Sequence, residues 1–290
     1  MKNFSFEEIV QKIKALEIQG AERIALAAVQ AWALRLQETE DQARLEKYAA
    51  ELMEARSTEP ALRNALYYCL QNYKATPNIS EKVIQYFRDS KIKIAKYGAK
   101  KIHDKMIVMT HCHSSTVEDI LVKAWEEGRR FVVYNTETRP RYQGRITATN
   151  IAAHGIPVEH FIDSAGRVGM KKADLFLFGC DAISAEGNII NKIGTRMLLE
   201  FAKKYDVPAY SCTNSWKFNP DTVWGADEVI EERDAVEVWA EAPQGIKIHN
   251  PAFEVSAADD ISGVISELGI LKSEALIIEI QKNYPWMIKK

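Results

Sequence analysis

The sequence has 290 residues, 47% of them hydrophobic and 27% charged, so one large domain or two smaller ones with a sizeable core can form. Its net charge of −2 and pI of about 6.3 exclude a general basic footprint, and we expect no nucleic-acid partner. We find neither a signal peptide nor an apolar run long enough to span a bilayer. We therefore expect no membrane association and a cytoplasmic protein with reduced thiols.

The first 100 residues carry almost no strand signal. Apolar residues recur there at helical spacing, beginning with Phe6, Ile9 and Ile13. Breaks in the pattern fall at Gly20 and at residues 57–60 and 76–78. The pattern predicts a helical N-terminal domain, residues 1–100, of about five helices.

After Gly98 the pattern changes to alternating strands and helices. Helical patterns at 116–127, 145–154, 165–172 and 192–204 separate apolar segments at 106–111, 130–135, 157–162, 174–179 and 207–212. This alternation is typical of a parallel sheet built from βαβ units. Residues 219–250 look irregular, and 258–290 look mostly helical after a short strand. We therefore predict an α/β fold with a parallel-sheet domain over residues 101–290.

One stretch, Val108 to Ser115, joins an apolar strand to a helix through small, polar and nucleophilic residues. Ser114 or Ser115 can cap the helix, and the free N–H groups of such a turn suit an anion such as phosphate. Cys112 lies in this turn, where a helix N-terminus is expected to lower the pKa of a thiol. The alternative is that Cys112 is merely a small buried hydrophobe.

Chemically reactive side chains follow several predicted strands, and the ends of parallel strands meet along one edge of a sheet. The segments concerned are 110–114, 136–141, 163–167, 179–182 and 211–217, together with the loop-to-helix junction at 191–195. Asp181 follows a strand that reads as fully buried, so desolvation should raise its pKa, although it could also cap a turn. Arg139 and Arg141 could contact phosphate or carboxylate, or be solvated surface charges.

No metal or cofactor is predicted. His111, Cys112 and His113 are consecutive, so in extended chain they point to alternating faces and cannot easily share a metal ion. A GxGxxG fingerprint is absent, which argues against a nicotinamide dehydrogenase. Trp216 and Phe218 are predicted to pack rather than to stack on a ligand.

A second basic element lies in the helical domain. The segment from Gly20 and Ala21 to Arg23 opens a helix, and Arg56 ends one. Helix N-termini and arginines near Ser or Thr can hold phosphate.

These motifs together resemble the initiation factor 2B/methylthioribose-1-phosphate isomerase family over nearly the whole chain, and within it the archaeal ribose-1,5-bisphosphate isomerases. The motifs are THCHS at 110–114, TETRPRYQG at 136–144, GIPVEHFIDSA at 155–165, GCDAIS at 179–184, NKIGT at 191–195, WKFNP at 216–220 and NPAFE at 250–254. The resemblance implies a Rossmann-like C-terminal domain packed on the helical one, with the site between them. It also implies homodimers, often assembled into hexamers, and, as in some members of the family, activation by AMP.

The resemblance further implies a catalytic cysteine and aspartate at the positions of Cys112 and Asp181. The expected reaction converts ribose 1,5-bisphosphate into ribulose 1,5-bisphosphate in AMP metabolism, with Cys112 as base and Asp181 as acid. Further residues are then candidates for holding the hydroxyls or phosphates of this sugar: Gly20, Ala21, Arg23, Arg56, Ser114, Arg139, Asn191, Lys192 and Lys217.

Two departures from the family pattern lie in the helical domain. Gln19 stands where the family's phosphate loop usually has an arginine, with Glu22 adding an acid nearby, and Arg23 could compensate. The usual RPT reads Arg56-Ser57-Thr58. Two other functions stay open: a non-catalytic regulatory subunit like those of initiation factor 2B, and another sugar-1-phosphate isomerase such as one acting on methylthioribose 1-phosphate.

Overall fold

The computed structural model describes residues 4–288 and has a mixed α/β fold with a mostly parallel sheet. Five helices come first, each amphipathic with its apolar face buried. They are α1 (Phe6–Lys14), α2 (Ala21–Glu38), α3 (Gln42–Ala55), α4 (Pro60–Asn72) and α5 (Ile79–Ala99). The breaks between them include Gly20 and the segments around 57–60 and 76–78, as the sequence pattern predicts.

Strands and helices alternate over residues 107–178, and further strands and helices follow. They are β1 (Ile107–His111), α6 (Ser115–Glu126), β2 (Val132–Thr136), α7 (Gln143–Ala153), β3 (Val158–Phe161), α8 (Gly166–Met170), β4 (Leu175–Phe178), β5 (Ala182–Ile183), β6 (Ile189–Lys192), α9 (Thr195–Lys204), β7 (Ala209–Cys212), β8 (Phe253–Ser256), β9 (Gly263–Ser266), β10 (Gly269–Leu271) and α10 (Ser273–Asn283).

Seven strands form the main sheet in the order β10-β9-β7-β4-β1-β2-β3. All neighbours are parallel except β10, which runs antiparallel to β9. β4 is buried along its whole length, as expected for a strand covered on both faces. The prediction for residues 258–290 was partly wrong, because two strands, not one, precede the last helix.

Side chains of alternate residues fill the two faces of the sheet. Met109 and Phe176 face the larger core, which also contains most buried residues of α1 to α4. Val108 and Leu177 face a second core, built with residues of α5, α6 and α7. The helical region and the sheet therefore share one continuous core, which places the first helices beside the strand ends. Trp216 and Phe218 are buried in it, confirming their packing role.

Three strands form a small separate sheet that the sequence pattern did not predict. It is antiparallel, with the order β5-β6-β8. Residues 192–204 were expected to be helical, but Lys192 ends β6 and the helix α9 begins only at Thr195. Pairing with the distant strand β8 gives this segment its strand conformation. The sequence did not predict it, because the periodicity of a short apolar run does not distinguish strand from helix.

Candidate active site

After β1, the chain first adds strands to the sheet on one side of β1 and later adds strands on its other side. β2 and β3 lie on one side of β1, whereas β4, β7 and β9 lie on the other. The carboxyl ends of β1 and β4 therefore flank the topological switch point, where open α/β sheets bind ligands. Cys112 follows β1 directly, and Asp181 lies three residues after β4.

The turn that carries Cys112 is tightly held. Cys112 has φ 64°, a left-handed backbone conformation that is uncommon for a residue other than glycine and occurs preferentially at functional sites. Its backbone N–H donates to Thr138 Oγ1 at 3.0 Å. Ser114 is the N-cap of α6, and its hydroxyl accepts from the N–H of Val117. A side chain at Gly179 would place a Cβ 3.0 Å from that of Ser114, so glycine permits the close approach of the two loops.

The environment of Cys112 corrects one sequence-based expectation. Burial raises the pKa of the Cys112 thiol to about 11, and the nearby Lys192 only partly opposes this effect. The expected lowering by the start of α6 was wrong in direction, because Cys112 is 7% exposed and desolvation disfavours the thiolate. The thiol therefore keeps its proton at neutral pH when the site is empty.

The pKa of Asp181 is raised by burial, as the sequence predicts. The charges of Lys217, Lys192 and Arg56 partly oppose the shift. The Asp181 N–H donates to the Ile190 carbonyl oxygen at 2.8 Å, which ties the residue to β6. A carboxyl group and a thiol that each resist ionisation thus occupy the same switch point.

Two lysines and an amide stand around this pair. Lys192 is 6% exposed, and its ammonium group lies 4.7 Å from the Phe253 ring centre and has no hydrogen-bond partner within residues 4–288. Lys217 is also buried and donates to the Cys180 carbonyl oxygen. Asn191 donates to Thr195 Oγ1 at 2.9 Å. A buried ammonium group without a partner is expensive, so Lys192 is available for an anionic ligand.

His111 has a structural role beside the site. Its Nε2 lies 2.8 Å from the Ile193 carbonyl oxygen, which can only accept, so the proton is on Nε2 and Nδ1 accepts from Thr136 Oγ1. Burial lowers the pKa of His111, which keeps the ring neutral. A Cβ at position 194 would lie only 2.9 Å from His111 Nε2, so this close approach requires Gly194. His111 thereby fixes the turn directly after β6, the strand that ends in Asn191 and Lys192.

The helical region closes the other side of the site through the start of α2. Gly20 is the N-cap residue of α2, so the first N–H groups of this helix are open to an anion. The Gln19 side chain donates to the Leu16 carbonyl oxygen at 2.6 Å. Arg23 has no hydrogen-bond or ion-pair partner in the described part of the chain. The free guanidinium of this loop is therefore that of Arg23, four residues after the position where the family has its arginine.

Arg56 and two acidic residues complete the helical side. Arg56 makes a bidentate ion pair with Glu231, at 2.9 and 2.6 Å. Glu59 is 3% exposed, and burial raises its pKa to about 8. Arg233, whose side chain is 8% exposed, lies 3.5 Å from Glu231. Neither Glu59 nor Arg233 was singled out from the sequence, because the signal that distinguishes them is burial and not residue type.

Most of these groups line one cavity of about 350 Å³ between the helices and the sheet; Glu231 and His111 lie outside its lining. We call one side the sheet-side wall, comprising Cys112, Ser114, Asp181, Asn191, Lys192 and Lys217, and the other the helical-side wall, comprising residues 19–23, Arg56 and Glu59. The cavity thus brings together ten of the eleven candidate residues, namely Gly20, Ala21, Arg23, Arg56, Cys112, Ser114, Asp181, Asn191, Lys192 and Lys217.

Arg139 is the exception. It is exposed, does not line the cavity, and contacts the Val238 carbonyl oxygen at 3.2 Å and the Tyr142 ring. Arg141 lies in an ion pair with Glu237 at 2.8 Å. The expectation of a substrate contact at Arg139 does not fit this placement, because the loop after β2 turns its arginines toward the surface loop 234–238.

Within residues 4–288 we find no cluster of three or more histidine, cysteine or acidic side chains arranged for a metal ion. A search of the same residues finds no helix long and apolar enough to cross a membrane.

Comparison with known proteins supports the resemblance. Residues 17–273 match the Initiation factor 2 subunit family. Ribose 1,5-bisphosphate isomerase of Thermococcus kodakarensis is 36% identical over 97% of this chain and 95% of its own. The enzyme of that name from Methanocaldococcus jannaschii is 37% identical over 98% of this chain and 96% of its own.

A solved structure shares the fold over nearly the whole chain. The structure titled translation initiation factor eIF-2B from Pyrococcus horikoshii OT3 superposes with a TM-score of 0.82 at 27% identity, covering 92% of this chain and 96% of that one.

Proposed function

The chain belongs to the Initiation factor 2 subunit family and is an isomerase, and we propose that it converts ribose 1,5-bisphosphate into ribulose 1,5-bisphosphate. The observation that carries this proposal is that Cys112 and Asp181 share one cavity with cations from both walls. Two dianionic phosphates need two separated groups of cations. Arg23 and Arg56 supply one group, and Lys192 and Lys217 supply the other.

In the proposed reaction, Cys112 and Asp181 act as a pair that shares one proton. The reactive form is thiolate beside carboxylic acid, which has the same total charge as thiol beside carboxylate. The positive charge of Lys192 favours the thiolate, and the burial of Asp181 favours its acid form. The raised pKa of the thiol is therefore compatible with its role as base.

The steps balance in protons. Asp181 gives its proton to the ring oxygen, the bond between that oxygen and carbon 1 breaks, and the 4-hydroxyl forms. Cys112 takes the proton from carbon 2 and an enediol results. The thiol then returns that proton to carbon 1, and the Asp181 carboxylate takes the proton of the 2-hydroxyl as the ketone forms. Both residues end as they began.

A direct assay of a small substrate panel tests the proposal. We expect turnover of ribose 1,5-bisphosphate with ribulose 1,5-bisphosphate as product, and much lower efficiency with ribose 1-phosphate or methylthioribose 1-phosphate. Equal efficiency on ribose 1-phosphate and the bisphosphate would contradict two phosphate sites. Absence of turnover with the whole panel would favour a regulatory subunit instead.

The proposal extends to the setting that the family resemblance implies. We propose cytoplasmic action in AMP metabolism, homodimers that assemble as trimers of dimers, and activation by AMP. Sedimentation of the purified chain tests the assembly, and initial rates with and without AMP test the activation.

A further inference from the structure

Glu59 is a buried acid that its own helix does not use. It occupies the N-cap position of α4, where a carboxylate commonly accepts from the first helical N–H groups, but its side chain makes no such bond. Instead the residue lines the cavity and is only 3% exposed. The local sequence therefore does not account for its placement.

The carboxyl group of Glu59 also lacks a hydrogen-bond partner within residues 4–288. Oε2 is buried and has no hydrogen bond within residues 4–288. Oε1 lies 3.8 Å from Arg56 Nε, beyond hydrogen-bond distance. The other two nitrogens of that guanidinium are held by Glu231. Leaving a buried polar atom unpaired is costly, which points to a partner that binds in the cavity.

The burial of Glu59 favours its neutral form. Burial is the largest cause of the rise of its pKa to about 8, and the negative charge of Asp181 is the second. Arg56 and Lys217 oppose the rise, and Glu231 adds to it. At pH 7 the group is therefore mostly a carboxylic acid, which can donate a hydrogen bond.

We propose that Glu59 contacts the substrate, donating a hydrogen bond from its protonated carboxyl group to an oxygen atom of the bound sugar phosphate. The inference rests on the proposed function and assigns a specificity-determining residue to the helical-side wall. An ionised Glu59 would repel an anionic ligand and would have no O–H group with which to donate a hydrogen bond. Substrate binding at alkaline pH must therefore be accompanied by uptake of a proton at this residue.

Titration calorimetry tests the proposal through that proton. Ribose 1,5-bisphosphate is titrated into the Cys112→Ser protein, which is used to prevent turnover, at pH 7.0 and 8.5 in two buffers of different ionisation enthalpy. With Glu59 present we expect uptake of about 0.8 proton at pH 8.5, about 0.1 at pH 7.0, and about fourfold weaker binding at the higher pH. In the Cys112→Ser protein that also carries Glu59→Gln, the proton uptake and the weaker binding at pH 8.5 should both disappear. The amide of the new glutamine can still donate a hydrogen bond.

Glu228→Gln is the matched control, because Glu228 is a partly buried acid with a raised pKa that lies outside the cavity. It should leave the proton uptake unchanged. Glu22→Gln should also leave it unchanged, although Glu22 lines the cavity and its pKa is raised by burial. Proton uptake that persists in Glu59→Gln, or that disappears in Glu22→Gln, would overturn the assignment to Glu59.

Glu59→Asp keeps the test decisive if Glu59→Gln does not fold. The shorter acid still titrates but reaches less far, so uptake should remain while binding weakens about three- to tenfold, the loss expected for one hydrogen bond. Unchanged binding in Glu59→Asp would contradict the contact. Failure of the Cys112→Ser protein to bind any panel sugar would instead count against the proposed function, and the inference would fall with it.

Discussion

The two walls of the cavity differ in how they are held and in what they carry. The sheet-side wall stands on strand ends and is fixed by internal bonds, such as those of His111 and the Cys112 N–H. The helical-side wall carries Gln19, Glu22 and Glu59, so cations and acids alternate there. A rigid wall suits chemistry that needs fixed distances, whereas a wall of mixed charge suits discrimination between ligands. We therefore expect substitutions of Cys112 and Asp181 in the first to change kcat, and substitutions in the second to change KM.

The largest expected effect is that of Cys112→Ser on the sheet-side wall. A serine hydroxyl is far less acidic than a thiol, so turnover should fall by at least about 10²–10⁴-fold, the range typical of acid–base catalysis. Binding of ribose 1,5-bisphosphate, followed by calorimetry, should stay close to that of the wild type. Near-normal turnover would remove Cys112 from the mechanism.

Asp181→Asn should reduce kcat by about 10²–10³-fold. The amide keeps the size of the carboxyl group but cannot donate a proton as an acid. The melting temperature should stay near that of the wild type, because the Asp181 bond to Ile190 uses the backbone. Retained turnover with a lowered melting temperature would instead indicate a structural role.

The pH profile of kcat/KM tests whether the two groups share one proton. Below the raised pKa of Asp181 both groups are protonated, and above about pH 11 both are ionised, so in the Glu59→Gln protein, where ionisation of Glu59 no longer weakens binding, kcat/KM should be flat between these limits and fall outside them. Lys192 lowers both pKa values, so Lys192→Met should move the acid limb about one unit to higher pH. Values of kcat/KM from pH 5 to 9.5 measure this shift. An acid limb at the same pH with and without Lys192→Met would contradict the influence of Lys192 on the pair of Cys112 and Asp181.

A smaller effect is expected on the helical-side wall. Arg23→Gln should raise KM for ribose 1,5-bisphosphate about fivefold with little change in kcat, since an exposed guanidinium is partly screened by solvent. Arg139→Gln is the matched control, because this arginine does not line the cavity. Steady-state kinetics of both variants decide the point. A larger rise in KM for Arg139→Gln than for Arg23→Gln would show that the cavity is assigned to the wrong loop.

Much of the fold followed from patterns along the chain. Helical spacing predicted the first five helices, and alternation predicted β1 to β4 and β7, because these periods reflect which face each element buries. The residues of the sheet-side wall were also predictable, since parallel strands bring Cys112 and Asp181 to one edge whatever the details of packing.

Other features depended on contacts between distant parts of the chain. β6 is a strand because it pairs with β8, and nothing near Lys192 indicates that partner. The thiol of Cys112 resists ionisation because of the depth at which the turn lies, although the neighbouring helix start suggested the opposite. Arg139 lies away from the cavity and Glu59 lines it, although their residue types suggested otherwise. Residue order specifies which groups are present, but burial and charge depend on which groups the fold packs around them.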